Sequence, residues 1–277
     1  MHLDRQDVRL VYDDLGDAGR RPLLLLHGLG DARSTWRRLT QGLSERYRVL
    51  CLDFRGHGES GHAPGTYTLE HHVADAVAVC DQVLAEPAVV IGHSLGGVVA
   101  HSMALRRPDV VRGVLLEDPP LYPMENSPAI PFFSLLRDFT HGMQSRGATI
   151  AEYEAALSLV PSRRAGETPT DGLGAEAVHV RAVEFARIDP DVFLPALDGS
   201  GLAGARPDLP LRCPALVIRA DPSLAAAFTA EDEERFRATN PEAEASVFLG
   251  ASHLVHEEEP ERFAAELEAF VDRVVSA

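Results

Sequence analysis

The sequence predicts an α/β protein, a mostly parallel sheet covered by helices on both faces, and three observations carry that expectation. Short apolar runs alternate with longer segments whose apolar residues recur at helical spacing. Most of the runs are continuously apolar, as strands buried on both faces are. At 277 residues and 45% hydrophobic content, the chain is long enough to bury a substantial core and ordinary in composition for a globular domain.

In chain order, "VRLVYDD" (8–14) reads as an edge strand because its second half is charged. "PLLLLHG" (22–28) and "YRVLCLDF" (47–54) read as buried strands with a helix between them near 33–44. A helix near 69–84, a strand "PAVVIGH" (87–93), a helix at 95–107 and a strand "VRGVLLED" (111–118) follow. From Pro119 to Pro210 the alternation fails. The stretch opens "PPLYPMENSPAIP", continues with helical segments such as "ATIAEYEAALSLV" and offers no convincing strand. Ninety-two residues are too many for a connection, so 119–210 is expected to be a mostly helical cap inserted in the sheet order. The core then comprises 1–118 and 211–277, resuming with strands "CPALVIRAD" (213–221) and "EASVFLG" (244–250) and helices near 230–239 and 260–275. There is no internal repeat or low-complexity tract.

Charge and cysteine content exclude several roles. Acidic residues outnumber basic ones 42 to 26 and no basic block occurs, so the counterion release that drives nucleic-acid binding has little to act on. The opening "MHLDRQDVRLVYDD" is charged, and no stretch approaches the roughly twenty uncharged residues that cross a bilayer, so a cytoplasmic protein without a membrane partner is expected. Cys51, Cys80 and Cys213 are odd in number and far apart, which points to buried free thiols rather than a disulfide or a metal site.

The chemistry is concentrated in "VVIGHSLGGVVA" (89–100). A strand ending at His93 and a helix starting at Leu95 leave Ser94 alone on the turn, in the G-x-S-x-G pattern of a nucleophile elbow. Gly92 and Gly96 give the turn its space, since a side chain at either would collide with the opposite limb. The serine stands at the positive end of the helix, where the N–H of Leu95 can donate to a developing oxyanion. Glycine in "HGLG" (27–30) lets a second loop approach, with the N–H of Leu29 as a second donor. "DFRGHGES" (53–60) closes the next strand, and "LGASHLVHEEEPERF" (249–263) puts His253 on a loop past the last strand.

Together these residues resemble the α/β-hydrolase superfamily. The resemblance covers nearly the whole chain outside the cap, with four motifs in the family's order. It implies Ser94 as nucleophile, His253 as general base and backbone oxyanion donors at Leu29 and Leu95. His256 is the alternative base; His27 and His93 read as loop braces; Arg55 and His57 belong to a structural turn; Trp36 packs a helix onto the sheet. "EEE" (257–259) is expected to be a solvated helix start.

Two places are open for the triad acid. The commoner family position, two residues beyond Asp221, is Ser223 here, so Asp221 would have to reach from earlier in the turn. Asp118 ends an earlier strand twenty-four residues after Ser94. That spacing is similar to zearalenone lactonases and, with a different nucleophile, haloalkane dehalogenases. Asp118 is the preferred acid and Asp221 the alternative, with Glu117 pointing the opposite way in the strand.

The resemblance then implies cofactor-free acyl transfer: His253 takes the proton of Ser94, the serine attacks a carbonyl, and water releases the acyl-enzyme. A serine at the elbow argues against epoxide hydrolases and dehalogenases of this architecture, which use aspartate. Phe132, Phe133 and Phe185, with Phe139, Tyr153 and Phe193, are candidates to line an apolar chamber. The expected substrate is therefore a small hydrophobic ester or lactone with a bulky apolar body, a macrocyclic lactone being the specific guess. Two alternatives stay open: a carbon–carbon bond hydrolase of ring-cleavage products, and a receptor of this fold for a small hydrophobic ligand. Oligomeric state is not legible.

Overall fold

Eight strands form one sheet in a computed structural model that describes residues 1–122, 129–159 and 174–276. They are β1 (His2–Asp4), β2 (Arg9–Leu15), β3 (Pro22–Leu26), β4 (Arg48–Leu52), β5 (Ala88–His93), β6 (Val111–Glu117), β7 (Ala215–Ala220) and β8 (Glu244–Phe248). The spatial order is β1-β2-β4-β3-β5-β6-β7-β8, with β1 and β2 antiparallel and every pairing from β4 onward parallel. Strand β1 is too short for its sequence to show a pattern; its single apolar residue, Leu3, is held opposite Leu10 of β2.

The leucine run of β3 shows why the sheet is covered on both sides. Leu24 and Leu26 face one apolar cluster with Val90, Val98 and Phe228, whereas Leu23 and Leu25 face a second with Ile91, Trp36 and Phe263. Successive side chains of a strand point to opposite faces, so a continuous apolar run is stable only with helices on both. All four leucines are fully buried. Truncating any one of them to alanine should cost about 2–5 kcal/mol.

The helices around the sheet are α1 (Arg37–Ser44), entered through a 3-10 turn at Arg33–Trp36, α2 (Leu69–Val83) and α3 (Leu95–Arg106). Between β6 and β7 come α4 (Ala129–Ser145), α5 (Ile150–Leu157), α6 (Ala175–Arg187) and α7 (Leu194–Leu197). After β7 follow α8 (Ala230–Thr239), α9 (Val255–Glu258) and α10 (Pro260–Ser276). Thr149 opens α5 and Thr229 opens α8 in capping boxes with Glu152 and Asp232, each satisfying helix N–H groups that would otherwise face solvent.

Among the described residues the stretch between β6 and β7 is helical and contains no strand. Residues 123–128 and 160–173 of the expected cap lie outside the described residues. A third apolar cluster, with Tyr153, Phe185 and Phe193, joins these helices to Leu29 and Tyr67 of the core. No helix of the described residues is long and apolar enough to cross a membrane. Cys51 and Cys80 are buried free thiols, while Cys213 is only half-buried.

Candidate active site

Ser94 follows β5 and precedes α3 with φ 51° and ψ −114°, a strained backbone for a residue with a side chain. The turn is held by its surroundings: Ser94 N–H donates to the Glu117 carbonyl at 2.9 Å, and Gly97 N–H donates to the Ser94 carbonyl at 2.9 Å. A Cβ at Gly92 would lie 2.1 Å from the Gly96 carbonyl oxygen, the collision across the turn that the motif implies. At Gly96 the obstacle differs from the expectation. A Cβ there would meet the carbonyl oxygens of Leu26 and His27 at the end of β3, 2.2 and 2.7 Å away, so this glycine lets α3 settle on the neighbouring strand.

Asp118 stands at the end of β6, fully buried, with φ 40°. Its Oδ2 lies 2.6 Å from His253 Nδ1 and 2.8 Å from Ala227 N, and its Oδ1 accepts from Phe228 N at 3.0 Å. Burial works against the charged carboxylate, but the bond and charge of His253 and the two N–H donors outweigh it and hold the carboxyl below its usual range. An ionised carboxylate only accepts, so Nδ1 carries the proton and the lone pair of the neutral ring is on Nε2. The loop after β7, where the commoner family arrangement places the acid, thus supplies two N–H groups that hold Asp118. Ala225 turns that loop at φ 61°.

The competing residues are engaged elsewhere. Asp221 caps its own turn, accepting from Ser223 N and Oγ at 2.8 and 2.7 Å, and also accepts from Gly250 N at 2.8 Å. His256 is fully buried, with Nδ1 2.8 Å from both Glu117 oxygens and Nε2 2.7 Å from Thr35 Oγ1. Glu117 and Asp118 therefore hold different histidines, as adjacent residues at a strand end facing opposite ways can.

Leu29 lies inside the turn between Gly28 and Asp31, and Leu95 is the first residue of α3, directly after the Ser94 turn. Flanking amides in the first turn are occupied, Gly30 N by His57 Nε2 at 3.3 Å and Asp31 N by the Gly28 carbonyl at 3.2 Å. Buried His27 braces this loop: Nε2 accepts from Phe54 N at 3.0 Å and Nδ1 donates to the Gly28 carbonyl at 2.8 Å. Burial pushes its pKa down to about 4 and that of His57 to about 3, so both are neutral braces. Arg55 is locked to Asp75, Asp7 and Thr66, and Trp36 packs on His256 and Phe263.

The aromatic candidates separate. Phe132 is exposed, and Phe185 is buried edge-on against Phe139, which also meets Tyr153 edge-on. Phe133 stacks on Phe193, whose ring lies 3.4 Å from where a Cβ of Gly30 would be, directly over the loop carrying Leu29.

One group was invisible in the sequence. Arg181 of α6 pairs with Asp31, Glu184 and Glu257. Glu257, expected to be solvated, is instead buried and also accepts from Thr35 Oγ1 at 2.5 Å. Glu258 accepts from Ser252 N at 2.9 Å and holds the loop that bears His253. A contact between residues 150 apart leaves no local spacing to read.

Comparison with known proteins agrees with this architecture. The chain is 32% identical over 114 residues to 3-oxoadipate enol-lactonase 2 of Acinetobacter baylyi, covering 41% of this chain and 43% of that protein. It is 36% identical over 118 residues to an sn-1-specific diacylglycerol lipase of Mus musculus, covering 42% and 38%. Such matches span well under half the length of either relative. Solved structures match along nearly the whole chain: an enol-lactonase from Burkholderia xenovorans (TM-score 0.75, 22% identity, 98% of this chain and 100% of that one) and a thermophilic esterase from Thermogutta terrifontis (0.71, 26%, 96% and 94%). The family model described as the alpha/beta hydrolase family matches residues 23–266, and the chain belongs to that family.

Proposed function

We propose that this chain is a serine hydrolase of carboxylic esters or lactones that works through an acyl-enzyme, with Ser94 as nucleophile, His253 as base and Asp118 as acid. The observation that carries the reading is the 2.6 Å contact between His253 Nδ1 and buried Asp118, on a loop beside the strained serine turn. His253 Nε2 takes the proton of Ser94 Oγ as that oxygen attacks the carbonyl. The N–H groups of Leu29 and Leu95 receive the negative charge of the tetrahedral intermediate. His253 then protonates the leaving alcohol, and a water deprotonated by the same nitrogen releases the acid. Asp118 keeps the proton on Nδ1 and stabilises the imidazolium formed at each step. The chemistry is complete without a cofactor.

The substrate reading rests on Phe133 and Phe193, which form an apolar surface over the Leu29 loop. The described helices between β6 and β7 act as the cap that carries this apolar surface. A carboxylic ester or lactone with a bulky apolar body fits it, a macrocyclic lactone being the specific form; the enol-lactonase and esterase among the similar proteins are in keeping with the bond cleaved. Treatment with a fluorophosphonate should label one serine stoichiometrically, at Ser94, and a panel of p-nitrophenyl esters and lactones should then find turnover. Folded protein that does not label would remove the hydrolase reading.

A further inference from the structure

His93 does more than brace a loop. It is buried at the end of β5, paired across the sheet with Glu117. Its Nε2 lies 2.9 Å from the carbonyl oxygen of His253, and a carbonyl only accepts, so Nε2 carries a proton. Its Nδ1 lies 3.4 Å from Asp31 Oδ2, an ion-pair distance outside good hydrogen-bond geometry. A bare lone pair at Nδ1 would face that carboxylate and be repelled, whereas an N–H there is attracted. The Asp31 carboxylate therefore favours a second proton, at Nδ1, and with it a cationic ring.

The groups around it fit that charge. Asp31, beyond β3, is itself held by Arg181 from α6; Glu117 and Asp118 stand at the end of β6. His256, 5.2 Å away between ring centres, is engaged by Glu117, and His27 is neutral. Burial favours the neutral imidazole, yet Glu117, Asp31 and Asp118 overcome it and raise the pKa of His93 above its ordinary value. The ring centre of His93 is 4.6 Å from that of His253.

We propose that His93 is a positioning residue that works as a fixed imidazolium, holding the His253 loop through its Nε2–H and keeping His253 in the neutral, basic form. This rests on the serine-hydrolase reading. The Asp118 carboxylate favours the protonated form of His253, and a cation on the other side of the ring opposes that. Arg181 keeps Asp31 in place, so α6 of the helical insertion is wired to the base through Asp31 and His93.

The test is the pH profile of kcat/KM for His93→Gln, which keeps an N–H donor and removes the charge. Loss of a like charge makes protonation of His253 easier, so the acid limb should move up by roughly one pH unit. A residue that only braces the loop would lower kcat and leave the limb in place. An unmoved limb, with Ser94→Ala inactive, overturns the proposal and leaves the hydrolase reading standing; an active Ser94→Ala overturns that reading and the proposal with it. Should His93→Gln fail to fold, nitrogen-15 NMR of the wild-type protein decides: both ring nitrogens of His93 at imidazolium shifts from pH 6 to 8 support the proposal, and a neutral tautomer overturns it.

Discussion

Asp118 and Asp221 are both followed by proline at the end of a parallel strand, and only their surroundings tell them apart. Asp118 meets His253 and two amides inside the protein, whereas Asp221 bonds within its own exposed turn and to Gly250. Asp118→Asn should thus lower kcat up to about 10⁴-fold in a steady-state ester assay while leaving the fold intact, because an amide cannot hold the useful tautomer. Asp221→Asn should cost less than about tenfold; the reverse ranking would move the acid to the later strand. Ser94→Ala should lower kcat by several orders of magnitude without changing the melting temperature by more than a few degrees, since its side chain carries little packing. Ser94 and Leu29 were legible because their turns need glycine at fixed offsets, and His253 because it stands on the loop past the last strand. Arg181, Asp31 and the buried Glu257 were not: each is an ordinary charged residue in its own segment, given a role only by chains that meet in space.

Elements were legible where burial is two-sided. The run of β3 is apolar throughout, and those of β5 and β7 are apolar up to His93 and Arg219 near their ends, because helices cover both faces, while three-residue β1 and four-residue α9 depend on tertiary contacts their own sequences do not announce. Glycines in helices show the same split between local and tertiary demands. Gly142 lies in the interior of α4 with open space around it, so Gly142→Ala should stabilise the protein by about 0.5–1 kcal/mol, read as a rise in melting temperature. Gly92→Ala, aimed at the Gly96 carbonyl, should instead leave little folded protein. For the helices between β6 and β7, Phe193→Ala should alter the ratio of kcat/KM for bulky against small acyl esters by about tenfold or more, with kcat for the small ester nearly kept. An unchanged ratio would place the acyl chamber elsewhere.

Across the whole molecule, α6 is joined to the sheet by buried charge as well as apolar contact. Glu184 is buried beside Arg181, Asp31 and Glu257 and accepts from Ser34. Burial pushes its pKa up to about 7, and the like charges of Asp31 and Glu257 add to that against Arg181. The sign follows from proton counting. Between an unfolded value near 4.5 and a folded value near 7 the native state holds the extra proton, so this group lowers stability as pH rises through that window. Glu184→Gln should therefore stabilise the protein by on the order of 1–3 kcal/mol at pH 8 and by little at pH 4, in denaturant titrations at the two values.

The proposed triad draws on the ends of β5 and β6 and on the loop after β8; His253 and Asp118 are 135 residues apart, His93 and His253 are 160. Parallel neighbours of this kind cannot form as hairpins, and closing such long loops carries its entropic cost before any contact rewards it. Assembly of the proposed triad is thus a late event when the chain renatures. After dilution from denaturant, the far-ultraviolet circular dichroism of the helices should return first, and ester turnover should lag until β8 has docked against β7. Chains stalled in that interval would present the unpaired edge of β7, with Val217 and Ile218 uncovered, and aggregate as protein concentration is raised.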